Sequence, residues 1–504
     1  MTLLSDGDKI GVGKAAIAEG DAMTATKRKQ INMTEGKLFG KIFFFILPIV
    51  ATNLLQVLYN AADMMIVGMS SEADAVGAIG ITGSFVSLIV GVFMGFATGS
   101  NVMVARHLGA KDDKNVSNTV HTSIIMSVMF GIAGGIIGFF VSRPILALMG
   151  AEGKLLDLAT TYTQIYFAGV PFIAVTNYVI AIFRAKGDTK TPLFVLMGSG
   201  ILNVLLNLFF VLTFNLSVEG VSMATAISNA AAAAVLLLIL AKDESPCRFS
   251  FKLLKFDKRA FSDICRIGLP AGIQGALFSI SNMLIQSSIL QVNNAMAPID
   301  SPFQPVVKGN AAATNLEGFA YNTQNAVYQA AITFTSQNAG AGKPKRVWRV
   351  MACCYLITLV ISVVITTAMI AFNEPLLALY DVVDGAEGTL EHIAYQTGLM
   401  RMKILFTTYF LIAFMEVGCG IVRGLGHSGA STIICLLGSC VLRIVWVAFV
   451  FKADPTFETV MLSYPISWFL TASALFGFGV VALRRLIRRV EAEKKRSAQE
   501  TAIA

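Results

Sequence analysis

The sequence predicts an all-α integral membrane protein with about twelve transmembrane helices in two pseudo-symmetric six-helix bundles. Three observations predict it. Charged residues make up only 14% of the 504 positions and hydrophobic ones 55%, with a mean hydropathy of +0.69, whereas a soluble domain carries about 25% charge. Runs such as Val128–Val141 and Ile357–Phe372 lack the apolar–polar alternation of a transmembrane barrel, and about 20 apolar residues suffice to cross a bilayer as a helix. The chain also repeats. "ILPIVATNLLQVLYNAADMMIVG" from Ile46 resembles "GLPAGIQGALFSISNMLIQSSIL" from Gly268, with Asn60 falling on Asn282. "RHLGAK" at Arg106 resembles "QNAGAGK" at Gln337, and "RAKGDT" at Arg184 resembles "RGLGHS" at Arg423.

In chain order the apolar runs cover 41–67, 76–104, 118–141, 158–183, 191–213 and 219–241. A second six cover 263–291, 312–339, 348–372, 396–422, 430–451 and 457–483. Six is even, so the two copies share one orientation and are related by an axis along the membrane normal, a plan that transporters use. The expected division is a polar tail at 1–38, a first lobe at 39–241, a basic linker at 242–262, a second lobe at 263–483 and a basic tail at 484–504. The segment 293–313, with Pro298, Pro302 and Pro305, reads as a long outer loop.

Lysine and arginine crowd one set of loops, including Arg106, Lys111, Lys186, Lys252, Lys343 and Arg349, while the other set carries Glu72, Asp74, Asp381, Asp384 and Glu391. Basic loops lie on the cytoplasmic side, so both termini are expected in the cytoplasm and a bacterial inner membrane fits. The first 35 residues hold no apolar core, so the first helix itself is expected to direct insertion. The net charge of +8 sits in short loops and at the ends, which does not suggest nucleic acid as a partner. The seven cysteines contain no CxxC pair and read as packing residues.

Polar residues inside the runs are the functional candidates. Asn53, Gln56, Asn60 and Asp63 are spaced 3, 4, 3 and share one helical face. An ionised Asp at the bilayer centre costs roughly 2.5–3.5 kcal/mol, so an intramembrane carboxylate is a functional candidate by default. Asp63 lies about 6–8 Å from the outer end of its helix, and Asn203, Asn207 and Thr225 fall in the same outer half. One carboxylate with amide and hydroxyl oxygens suits either a hard cation or a proton. Candidates for a substrate cavity are Asn53, Gln56, Tyr59 and Asn60 in the first lobe, and Gln274, Asn282, Gln286 and Gln329 in the second. Ile285 stands where the repeat would place Asp63, so the ion site is expected in the first lobe alone. Glu416 and Arg443 are intramembrane charges and a candidate structural ion pair. Walker A, GxSxG and HExxH motifs are absent, which supports neither ATP drive nor hydrolysis.

"LPIVATNLLQVLYNAADMMIVG", "FRAKGDTKTP", "ILNVLLNLFFV", "EGVSMATAIS" and "FTSQNAGAGKPKR" together resemble the multidrug and toxic compound extrusion (MATE) family over about residues 35–485. The resemblance implies two lobes opening alternately to each side. It implies export of cationic, amphipathic small organic compounds in exchange for H⁺ or Na⁺, with no cofactor and no metal beyond that ion. Asp63 then inherits the coupling role, with Asn203 and Thr225 beside it. Asn207 stands where the family often has Asp, which removes one negative charge from the site. Membrane lipids are the other expected partners, and a monomer is the expected working unit. A flippase of lipid-linked oligosaccharides is the alternative transporter, and would need a strongly cationic cavity for pyrophosphate. A membrane-embedded enzyme or a non-transporting receptor is the alternative class. An enzyme would need paired acid–base groups or a metal cluster in the membrane.

Overall fold

The computed structural model describes residues 31–70, 72, 74–296 and 303–503, and no strand occurs among them. The first half forms α1 (Leu38–Val67), α2 (Ala75–Ala110), α3 (Asp113–Leu148), α4 (Gly153–Ala185), α5 (Lys190–Thr213) and α6 (Val218–Ala241). The second half forms α7 (Lys258–Met296), α8 (Pro305–Gly340), α9 (Pro344–Ala371), α10 (Leu390–Thr407 continued by Tyr409–Gly424), α11 (Ser428–Phe451) and α12 (Phe457–Ile503). Ten of these are long and apolar enough to cross a membrane singly, and α10 is so as a bent pair. The remaining one, α8, is long enough at 36 residues but carries Lys308, Glu317, Gln324, Gln329 and Gln337. It can hold them because it packs against α1, α2, α9 and α10, so that protein rather than lipid surrounds it.

Several predicted boundaries move outward, because the helices continue past the apolar runs into the flanking polar sequence. The expected outer loop at 293–313 is mostly helix. α7 runs to Met296 and α8 begins at Pro305, whose missing N–H suits a first helical turn. Asn293 Oδ1 accepts the Val306 N–H at 3.1 Å and ties the two ends together. Pro298 and Pro302 lie outside the described residues, as does most of the predicted polar tail.

α1 runs unbroken through Pro48. The marked bend is instead in α10, 49° at Thr408, where no proline stands. The Thr407 and Thr408 hydroxyls donate to the Lys403 and Ile404 carbonyls at 2.6 and 2.8 Å, and such back-bonding loosens the ladder and bends helices. The fifth helix of each half changes pitch to a π-helix, at Phe209–Thr213 in α5 and at Leu436–Val441 and Val447–Phe451 in α11.

Among the described residues the two lobes meet toward one end. At the acidic end each keeps its own core. Ile66, Ala75, Leu146, Ala159 and Val221 pack together in the first lobe, and Ala312, Leu316, Leu377, Ala394 and Met402 in the second. From mid-membrane to the basic end the cores are shared. Phe96, Met103 and Tyr178 pack with Ile264 and Ile267, and Phe45 meets Phe334 edge-on with ring centroids 5.4 Å apart. Glycines bring α2 and α7 into backbone contact. A Cβ on Gly95 would lie 2.3 Å from Gly272 N, and one on Gly99 would lie 2.4 Å from the Ile264 carbonyl oxygen. Asn101 Oδ1 accepts from Thr333 Oγ1 at 3.1 Å, and Gln337 Nε2 donates to the Ala185 carbonyl at 3.0 Å, both from lobe to lobe. Residues 31–36 strap this junction. The Ile31 N–H donates to the Gly187 carbonyl, while Arg346 donates to the Met33 and Glu35 carbonyls at 3.2 and 2.6 Å.

Candidate functional site

Asp63, Asn203, Asn207 and Thr225, which lie on three separate helices, come together in one chain of side chains. Asn207 Nδ2 donates to Asp63 Oδ1 at 2.5 Å and lies 3.4 Å from Asn203 Oδ1. Asn203 Nδ2 faces Thr225 Oγ1 at 3.4 Å, and that hydroxyl donates to the Val221 carbonyl at 3.0 Å. The i, i+4 spacing on α5 puts both asparagines on the face that meets α1 and α6. Asn207 is fully buried, and its Oδ1 has no hydrogen-bond partner among the described residues. It stands two residues before the π-helical turn of α5, a feature that often accompanies functional sites. Among the described residues no Lys, Arg or His forms an ion pair with Asp63. The carboxylate therefore rests on a neutral donor, the Asn207 amide.

The other polar residues of α1 separate. Leu58 and Met65 are exposed on one face of α1. Gln56 and Asn60 project from the opposite face, the one that carries Asn53, and are exposed as well. Asn53 is buried and donates to the Asn322 carbonyl of α8 at 2.9 Å, a contact between lobes at mid-membrane. The Tyr59 ring lies on Gly200 of α5 and its hydroxyl donates to the Met197 carbonyl at 3.2 Å, so it braces two helices.

In the second lobe, Asn282 and Gln286 line a cavity of about 470 Å³ together with Phe278, Tyr321, Tyr464 and Trp468. Gln274 does not. It accepts from Arg423 Nη2 at 2.8 Å and is buried among structural partners. Gln329 is also outside the cavity lining.

The candidate ion pair between Glu416 and Arg443 does not form. Both line the cavity, but the guanidinium is drawn to α12, where Nε donates to Ser467 Oγ at 3.0 Å and the charge lies 4.2 Å from the centre of the Tyr464 ring. Its Nη1 also reaches Asn282 Oδ1 at 3.5 Å. Among the described residues the ion pair inside this lobe joins buried Arg401 to Glu317 of the cavity wall at 2.7 Å, with Arg401 Nη1 donating to Asn310 Oδ1 at 2.7 Å. The reading of the sequence does not single out either residue. The available signal is a charge inside each of the runs 312–339 and 396–422. Arg423, assigned by pattern to a loop motif, is in fact buried at the end of α10 and donates to Tyr328 Oη and Gln274. A groove of about 840 Å³ on the flank of α5 and α6 contains none of the candidate residues.

The chain's relatives agree with this architecture. The MatE family profile matches residues 48–209 and again 278–449, one match in each half. The probable multidrug resistance protein YoeA of Bacillus subtilis is 25% identical over 444 residues, covering 86% of this chain and 92% of that protein. The multidrug export protein MepA of Staphylococcus aureus is 28% identical over 264 residues, covering 51% of this chain and 57% of MepA. Among solved structures, an outward-facing conformation of a multidrug resistance MATE family transporter superposes with a TM-score of 0.82 at 19% identity, covering 91% of this chain and 99% of the other. A family profile met twice in order, in a multi-pass chain whose halves form two six-helix bundles, leaves one conclusion: this chain belongs to the MatE family of multidrug efflux transporters.

Proposed function

We propose that the protein is a secondary antiporter that exports cationic, amphipathic organic compounds in exchange for H⁺ or Na⁺. The carrying observation is the Asp63 carboxylate, placed inside the membrane and hydrogen-bonded to Asn207, with no cationic partner among the described residues. A permanent counter-charge would hold the site in one state. Neutral amides leave its charge to be set by an arriving ion.

Asn207 is suited to respond to that ion. Its amide donor meets an ionised carboxylate in the arrangement described. Turned through 180°, it would offer its unpartnered oxygen to a protonated carboxyl or to a bound cation. The site residues are thus Asp63, Asn203, Asn207 and Thr225 for the ion. Gln56 and Asn60 would face the substrate in the cleft, and Asn282 and Gln286 in the second-lobe cavity. Tyr321, Tyr464 and Trp468 beside that cavity suit an organic cation through their ring faces. The cavity holds Glu317 and Glu416 against Arg401 and Arg443, a balanced set and not the cationic one that a pyrophosphate-bearing lipid requires.

With the basic end in the cytoplasm of a bacterial cell, the shared core closes the inner side and the cleft opens outward. The lobes 39–241 and 263–483 are the moving bodies, and the basic segment 242–262 is their tether. Ion and substrate must favour different states for exchange to follow. The test is efflux of ethidium from vesicles, with Na⁺ and H⁺ gradients imposed separately. Efflux driven by one gradient and lost in Asp63→Asn is the expected result. Full gradient-driven efflux by Asp63→Asn would remove Asp63 from the coupling role.

A further inference from the structure

A second concavity, of about 580 Å³, opens at the basic end where the lobes meet. Arg106 of α2, Asp263 and Arg266 of α7, His427 of the α10–α11 turn, and Arg485 and Arg489 of α12 line it. Four guanidiniums thus face one carboxylate, and among the described residues none of the four is in an ion pair.

The arrangement is held by backbone. Ser428 Oγ donates to the Ile267 carbonyl at 2.6 Å and pins the turn to α7. Gly426 sits at φ +91°, and the Arg106 Nη2 atom lies 2.6 Å from where its Cβ would be. Only glycine lets that guanidinium lie against the turn. The field inside is positive enough to act on its neighbours. Burial pushes the His427 imidazole down, and Arg106, Arg266 and Arg485 push it further. It adds no charge of its own near neutral pH, so the excess belongs to the arginines.

Like charges contributed by both lobes repel, and an anion between them relieves that repulsion. Arginine forks match phosphate oxygens in pairs. Beside them the lining is apolar, with Met103, Ile267 and Leu486, as a glycerol backbone or the start of an acyl chain would need. The pocket lies at the basic ends of the apolar runs, the level at which lipid headgroups are expected. Basic pockets between helices at this level suit anionic lipid headgroups. We propose that this pocket binds the phosphate of an anionic glycerophospholipid, and that the bound phosphate links Arg106 of the first lobe to the arginines of the second.

The purified full chain in detergent tests this, with its thermal midpoint followed against short-chain phosphatidylglycerol, short-chain phosphatidylcholine and inorganic phosphate. Phosphatidylglycerol is expected to raise the midpoint saturably, and phosphatidylcholine to leave it unchanged. Arg485→Gln with Arg489→Gln, both exposed and so safe for folding, should weaken the response about thirtyfold in concentration. Arg106→Gln should weaken it as well. Lys494→Gln with Lys495→Gln, farther along the same helix, should leave it intact. An equal loss in that control would mean diffuse surface charge and would overturn the proposal. So would a response untouched by the arginine substitutions. An arginine-dependent response to inorganic phosphate as strong as that to phosphatidylglycerol would overturn the lipid as ligand in favour of a free anion.

Discussion

Asp63 and Asn207 differ in what their neighbours allow. Asp63 has one strong donor, while Asn207 has two acceptors for its amide and nothing for its oxygen. Asn207→Asp would set a second carboxylate against the first. Two such groups cannot both ionise cheaply without a shared proton or a cation. The expected outcome is a rise in thermal midpoint with NaCl that equal KCl does not produce, and that is weaker or missing in the parent. The charged residues of the second lobe follow the same logic of pairing. Arg401 is buried and Glu317 reaches it from the cavity wall, so removing Glu317 strands a buried charge. Glu317→Ala should therefore cost about 3–5 kcal/mol, while Glu317→Leu with Arg401→Met should restore most of it. Unfolding in detergent measures both. A single variant as stable as the parent would mean that water already reaches the pair.

Helix-to-helix packing rests on small residues, as expected where lipid offers no hydrophobic drive between helices. Gly95 and Gly99 let α2 touch the backbone of α7. Gly95→Ala places a methyl group against backbone that cannot yield, so the helices must part, at a cost of about 1–3 kcal/mol. Lower stability together with slower efflux is the expected pair of results, and an unchanged efflux rate would show that this crossing is not part of the moving joint. The bend in α10 is a different case. Its cause is two threonine hydroxyls competing for carbonyls, a local feature that leaves no proline or glycine to flag it. The same holds for the π-turns of α5 and α11. They shift the face of a helix within one turn, which is why the depth and facing of Arg443 could not be judged from regular helical spacing.

As a whole, the molecule is a pair of bundles joined toward one end, and the proposed antiport requires that joint to open. Asn101 and Thr333 make the most direct test. Their side-chain oxygens stand 3.1 Å apart across the lobes. Asn101→Cys with Thr333→Cys should cross-link on oxidation and hold the basic end closed. Efflux should stop with the oxidant and return with a reductant. Full transport by the cross-linked protein would mean that the lobes do not separate there. The strap formed by residues 31–36 belongs to this scale too, because it exists only where both lobes supply its partners.

The helices, their order, the repeat and the set Asp63, Asn203, Asn207 and Thr225 were all readable from the chain itself. Bilayer thickness sets helix length, and helical spacing sets which residues share a face, and both are local rules. Even α8, too polar to pass a strict apolarity test, is legible in the run 312–339. Tertiary structure alone decided the rest. It paired Glu317 with Arg401 and left Glu416 without Arg443, turned Tyr59 and Gln274 from cavity to scaffold, and gathered four arginines from three helices into one pocket. Those outcomes depend on the tilt and rotation of each helix against its neighbours. Such angles are set by many small packing terms spread over distant parts of the chain, and no local pattern of residues carries their sum.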